Sequence, residues 1–223
     1  MMKRIDLNAD LGEGYGPYQM GEDAAMLDLL SSANVACGFH AGDPVIMRRT
    51  AKLALTRQVD LGAHVGFPDL MGFGRRPMQI PHDELAAYVI YQIGALAGIA
   101  QALGQRLTHM SFHGALGNMA AADAQLADPL VAAVAAYDPT LLISSSPSVA
   151  IESAALRHGL RVATTFLADR ACDEQGLLIA RHLPGAVIKD PKTVMARVEQ
   201  LLHDGTVTTY SGTTIPAQAH SIL

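Results

Sequence analysis

Apolar and polar positions follow two rhythms along this chain, and the rhythms take turns. Short runs of small or β-branched residues, Arg4 to Asn8, Ala33 to Cys37, Asp60 to His64, Thr108 to Phe112, Thr140 to Ser144 and Arg161 to Phe166, predict strands. Between them, apolar residues at helical spacing predict helices over Glu22 to Leu30, Pro44 to Arg57, His82 to Gly104, Ala124 to Tyr137, Ser148 to His158 and Lys192 to His203. The punctuation agrees: Pro44 follows Asp43 as a first-turn proline behind an N-cap, and Gly104 and Gly159 follow helix ends. Strands that alternate with helices build a parallel sheet under helical cover. The fold class is therefore α/β, a βα barrel in one domain over residues 1–223, with an open doubly wound sheet as the alternative. The loops after the first, third and sixth strands are long, and Leu167 to Ile188 is expected to carry an extra hairpin or strap.

Composition narrows the setting. Half of the 223 residues are apolar and only 17% are charged, which suits one well-buried domain. The net charge of -5 comes without a basic run, so no nucleic-acid partner is expected. Cys37 and Cys172 form no CxxC pair, and Met1-Met2-Lys3-Arg4-Ile5-Asp6 has no apolar signal-peptide core, so a reduced, cytoplasmic setting is expected. From Leu85 to Gln105 no residue is charged, a length that could span a bilayer. Gln92, Gln101, the many Ala and Gly residues and the βα pattern on both sides favour a close-packed helix on the outside of a barrel or at a subunit interface, so no membrane partner is expected.

Candidate chemistry gathers at strand ends, where a βα chain builds its sites. His40, His64 and His113 each stand at or just past a strand end beside Gly or Ala, and imidazole offers acid–base chemistry or a metal bond near neutral pH. His82, His158, His182, His203 and His220 lie in helical or loop contexts and read as surface or capping residues, and His109, inside the fourth strand, as a buried hydrogen-bonded one. Asp6 and Asn8 share one parity on the first strand and Asp10 follows; a carboxylate inside a strand needs a partner such as a metal, an arginine or a substrate proton. The loop Gly12-Glu13-Gly14-Tyr15-Gly16 stands where a phosphate cradle would, but its spacing fits neither nucleotide fingerprint and its acids repel phosphate. Arg75 and Arg76 on a glycine-flexed loop suit a carboxylate or phosphate, although a surface salt bridge accounts for one of them equally well. Asp169 and Arg170 face the same mouth or pair with each other. Ser144-Ser145-Ser146 lacks a nucleophile elbow.

Four segments together resemble the LamB/YcsF family: Asp6-Leu7-Asn8-Ala9-Asp10-Leu11-Gly12-Glu13, Ser32 to Pro44 with Cys37-Gly38-Phe39-His40-Ala41-Gly42-Asp43, Gly72-Phe73-Gly74-Arg75-Arg76, and His113-Gly114-Ala115-Leu116. The resemblance implies a βα barrel akin to the glycoside hydrolase and deacetylase superfamily. It also implies ATP-dependent opening of 5-oxoproline, a small lactam, to L-glutamate, in company with two further subunits, B and C. On that reading His40, His64, His113 and Asp10 are catalytic; Arg75, Arg76, Asn8, Asp43 and Asn118 bind substrate or ATP; and Asp6 holds the Mg2+ that ATP brings. Ser111 and Gly117 stand where the family pattern has lysine and tyrosine, which implies weaker phosphate binding. The sequence stops at Ser221-Ile222-Leu223, where the family continues into Val-His-Gly-Asp, so the expectation is a seven-stranded, incomplete barrel lacking the C-terminal segment, its open edge promoting a homo-oligomer. Two further readings are a metal-dependent, deacetylase-like hydrolase with a divalent ion at Asp6 or Asp10 and two histidines, and a divergent non-catalytic binding subunit that binds ligand without turnover.

Overall fold

The predicted strands form, each shifted by no more than a few residues: β1 (Asp6–Leu11), β2 (Ser32–Ala36), β3 (Asp60–Val65), β4 (His109–Phe112), β5 (Leu142–Ser145) and β6 (Arg161–Phe166). The structure is a computed structural model that describes residues 4–223; Met1 to Lys3, the start of the stretch read as having no signal-peptide core, lie outside it. Helices α1 (Asp23–Leu27), α2 (Pro44–Thr56), α3 (His82–Ala102), α5 (Ala124–Tyr137), α6 (Val149–His158) and α7 (Pro191–Asp204) fall where the helical spacing put them. Capping fixes their starts. Asp43 accepts from the Val45 and Ile46 amides ahead of Pro44, Ser148 from Ile151, and Asp190 from Lys192 and Thr193 ahead of Pro191.

Three features were not foreseen. Helix α4 (Gly114–Ala122) begins directly after β4, where two glycines in a short segment had masked the helical spacing. An antiparallel hairpin, β7 (Thr206–Thr208) with β8 (Thr214–Pro216), follows α7. The third, β9 (Ser221–Ile222), lies between β6 and β1, with Ser221 opposite both Asp6 and Thr165. It closes the wall in the order β1-β2-β3-β4-β5-β6-β9, every pair parallel. The barrel is thus seven-stranded and closed, which overturns both the incomplete wall and the open doubly wound sheet. The sheet edge that motivated self-association is occupied. Two residues carry no periodicity of their own, so β9 was invisible to pattern reading. The segment 167–188 forms the expected strap, tied by the bridges Arg170–Val187 and Cys172–Leu178.

Alternation along the strands divides the core. Ala33, Val35, Leu61, Ala63, Val65, Met110 and Ile143 face outward and pack under the helices in one apolar cluster. The inward side chains are polar and bonded across the lumen: Asn8 to Ser221 at 2.9 Å, Asn34 to Asp10 at 3.1 Å, His109 to Asn34 at 3.0 Å, Ser144 to Thr165 at 2.7 Å. Most small barrels fill this space with branched aliphatic residues. Here partnered polar groups fill it, and pairing removes the cost of burying them. Helix α3 is, among the described residues, long and apolar enough to cross a membrane, but it packs on the barrel, and the buried Gln92 amide bonds both the amide and the carbonyl of Gly66.

Candidate active site

Four elements deliver the polar cluster at the C-terminal mouth. Asp10 stands near the end of β1, and the loop after it turns Glu13 inward. That loop is set by carboxylates: the Gly12 amide donates to Asp23 at 3.0 Å and the Gly16 amide to Asp43 at 2.8 Å. Two of its amides are thus committed to protein acids, and the Tyr15 amide donates to the Tyr18 carbonyl at 3.0 Å. The turn after β2 brings in His40, β3 brings His64, and the end of β4 brings His113. All three rings are buried. Two glycines make the space: a Cβ on Gly66 would lie 2.6 Å from His40 Nδ1, and one on Gly114, whose φ is +54°, would lie 2.6 Å from the Gly74 carbonyl.

The rings form one assembly. His40 and His113 stack with centres 3.8 Å apart, and His64 meets both edge-on. His113 Nε2 lies 2.8 Å from the Phe73 carbonyl, which can only accept, so that nitrogen carries the proton and Nδ1 presents a lone pair. That lone pair lies 2.9 Å from His64 Nε2, which is also 3.2 Å from Asp10 Oδ2. On its far side, His64 Nδ1 is 2.6 Å from the Ser111 hydroxyl. Glu13 Oε1 lies 3.2 Å from His40 Nε2 and 3.5 Å from His113 Nδ1, and among the described residues His40 Nδ1 has no partner.

Electrostatics separates these groups by role. Burial works against charging the His64 ring, yet Asp10, with Glu13 and Ser111, overcomes it and raises the imidazole. Burial likewise pushes Asp10 up, but His64, His113 and Asn34 hold it well below the usual carboxylate range. The two form an ion pair. Burial, with His64 and His40 beside it, lowers His113 to about 3. Burial and His64 keep His40 neutral. Burial, with Asp10 nearby, raises Glu13. The site therefore holds a protonated imidazole, neutral imidazoles and a carboxylate of raised basicity within touching distance.

Of the residues singled out from the sequence, His40, His64, His113 and Asp10 meet here, and Arg75 lies at the rim, 4.8 Å above the Phe73 ring. Asn8 lies deeper in the lumen, bonded to Ser221 and Asn34. The other four are elsewhere. Asp6, expected to hold a metal, opens β1 at the opposite end of the barrel, where the hydroxyls of Ser31, Ser32 and Ser221 fill its carboxylate. Arg76 is committed to Asp69, Asp43 caps α2, and Asn118 is exposed on α4. His109 is the buried hydrogen-bonded residue expected, held to about 4 by burial and by His64. Sequence reasoning missed Glu13 and Ser111. The signal for Glu13 was a lone carboxylate between two glycines just past a strand end; Ser111 carried none apart from standing where the resemblance led us to expect lysine. Glu13, His40, His64 and His113 bring their ligand atoms within 4.8 Å of one another. Three imidazoles and one carboxylate suit a first-row transition ion and do not suit Mg2+, which keeps oxygen ligands.

Comparison with known proteins agrees with this architecture. The model of the LamB/YcsF family matches residues 5–223. The chain is 68% identical over 220 residues to a 5-oxoprolinase A subunit of Pseudomonas syringae pv. tomato, covering 99% of this chain and 86% of that protein. It is 64% identical to a 5-oxoprolinase A subunit of Ralstonia nicotianae, covering 98% and 84%. The crystal structure of the lactam utilization protein from Thermus thermophilus superposes with a TM-score of 0.93 at 40% identity, covering 99% of this chain and 89% of that one. The match to the family model over nearly the whole chain, with the same closed fold in a related crystal structure, shows that the chain belongs to the LamB/YcsF family.

Proposed function

We propose that this chain is the A subunit of a 5-oxoprolinase, which opens 5-oxoproline to L-glutamate with hydrolysis of ATP in company with subunits B and C, in the cytoplasm. The observation that carries the reading is the protonated His64–Asp10 pair set against Glu13 and the neutral His113 at the barrel mouth, in a chain closely similar to proteins named for that reaction. The two free, buried cysteines suit a reducing compartment. A lactam resists water through amide resonance, and phosphorylation of its oxygen by ATP would make the ring carbon electrophilic.

The residues of this chain then divide the proton work. Glu13, basic because it is buried and oriented by His40, takes a proton from the water that attacks the ring carbon. His64, kept protonated by Asp10, gives a proton to the ring nitrogen as the C–N bond breaks, which leaves the side-chain acyl phosphate of glutamate, and a second water then releases inorganic phosphate and L-glutamate. His113, its lone pair directed at His64, lies between the two and returns the proton. The Mg2+ that accompanies ATP finds no oxygen cage in this cluster of three imidazoles and one carboxylate. The test is ATP-dependent glutamate release by this chain mixed with subunits B and C. Glu13→Gln and His113→Ala are each expected to cut turnover about a hundredfold or more; unchanged turnover in both removes the mechanism.

One observation favours a second reading, a metal-dependent, deacetylase-like hydrolase. Behind the converging donors, His64 and His113 are each fixed through their outer nitrogen, by Ser111 and by the Phe73 carbonyl, as metal-bound imidazoles are. Elemental analysis of the protein purified without chelator separates the readings. One equivalent of a transition ion, lost in Glu13→Gln, supports the hydrolase.

A further inference from the structure

Arg57, Arg157 and Arg76 have acidic partners in Asp28, Asp128 and Asp69. At the mouth the arrangement differs. Among the described residues, neither Arg75, Arg170 nor Arg181 has a carboxylate within 4.0 Å. Arg75 lies over Phe73, whose ring meets His40 and His113 edge-on. Arg170 is only 3% exposed, and its head is fixed by the carbonyls of Ile179 at 2.6 Å and Ala186 at 3.3 Å. The strap then carries Arg181 to a cleft of about 370 Å³ shared with Asn8, Asp10 and Asp169.

These cations act on one another. Burial, then Arg181 and more weakly Arg75, holds Arg170 below the usual guanidinium range; burial and then Arg75 do the same to Arg181, against the pull of Asp169, Asp10 and Glu13. Arg75 and Arg181 are exposed at the rim and Arg170 is buried behind them; like charges gathered in this way are relieved by an anion, and a guanidinium fork matches the two oxygens of a carboxylate.

We propose that Arg75 and Arg181 form a two-sided seat for the carboxylate of a cyclic-amide acid, with Arg170 as a fixed positive charge behind them. The seat rests on the lactam-opening reading above. In 5-oxoproline the carboxylate-bearing carbon and the lactam carbonyl carbon flank the ring nitrogen. A carboxylate held at the arginine rim therefore turns the carbonyl toward Glu13 and His64. The same seat sets specificity, because a lactam without the acid leaves the guanidiniums unpaired.

The test is calorimetric titration of the chain with L-5-oxoproline, 2-pyrrolidinone and inorganic phosphate. Variants are Arg75→Met, Arg181→Met and Arg181→Lys, with the exposed Arg106→Met as charge control. The expected result is that L-5-oxoproline binds about tenfold or more tighter than 2-pyrrolidinone, and that each mouth methionine variant erases this advantage while leaving 2-pyrrolidinone and the control unchanged. Arg181→Lys should restore part of it. Unaltered L-5-oxoproline affinity in the methionine variants, or no saturable binding to the unmodified chain, overturns the seat. Phosphate binding more tightly than L-5-oxoproline would also overturn it, making the cluster a phosphoryl site. Failure of the seat and failure of the function separate cleanly. Arginine-dependent binding without turnover in the assembled complex sinks the reaction, and turnover at unchanged KM in the methionine variants sinks the seat.

Discussion

Two histidines in the same lumen show how an imidazole is assigned its work. His109 and His64 both project inward, yet His109 bonds Asn34 and Thr108 while His64 bonds a carboxylate. The first is neutral and structural, the second cationic. The difference is testable through stability. The folded chain holds the His109 value at about 4, below the ordinary 6.5, so as pH falls through 6.5 the unfolded chain takes up the proton first. Stability is then lost until pH passes about 4, by roughly 3 kcal/mol for this one residue. His40 and His113 shift in the same direction. His64 acts in the opposite sense: its contribution is complete below its unfolded value and is lost as pH rises through the raised folded one. Denaturant titrations from pH 7 to pH 4 should show a steep loss of stability that His109→Gln flattens; a parallel profile in that variant would refute the burial argument. Strand position was enough to single out His40, His64 and His113. Nothing in sequence spacing could say that Asp10 would charge one of them and leave the others neutral.

At the scale of elements, the caps and turns were the readable part. Asp43 followed by Pro44 predicted the start of α2 to the residue, and the structure adds that the same carboxylate also holds the Gly16 amide. One side chain thus fixes a helix start and the loop that aims Glu13. Asp43→Ala is expected to cost about 1 kcal/mol in thermal or denaturant unfolding, and to lower turnover as well, since Glu13 loses its support. A stability loss with full activity would show that the loop holds its shape without the cap. Gly66 is the corresponding device on β3. Gly66→Ala drives a methyl into His40 Nδ1 and should destabilise by about 1–3 kcal/mol; a melting temperature equal to that of the parent chain would mean that His40 has room to move. Helix α4 shows the limit of such reading. Its glycines look like a loop, and only the close approach of the Gly74 carbonyl, which a Cβ on Gly114 would meet at 2.6 Å, explains why the first residue of the helix is glycine.

Across the whole molecule, closure of the barrel depends on very little chain. Ser221 bonds both Asn8 and Asp6, and Ile222 pairs with Leu7 and Phe166. Removing Ser221 to Leu223 should open the wall between β1 and β6, expose a sheet edge and turn the chain into an associating species by light scattering; a shortened chain that keeps its size and melting temperature would show that closure is dispensable. The alternation of strand-like and helix-like runs by itself determined an α/β barrel with its polar residues at one mouth, because side-chain periodicity and turn chemistry are local properties that the chain carries with it. Family motifs such as Cys37 to Asp43 added the reaction class. Tertiary structure alone decided that the first strand's acids part company, with Asp6 capped by serines at one end and Asp10 charging His64 at the other. It alone brought Glu13 against two histidines, tied Arg76 to Asp69, and carried Arg181 from a strap to the mouth. Each of these depends on which distant segments become neighbours and on how much water leaves when they do, and neither is written in local spacing.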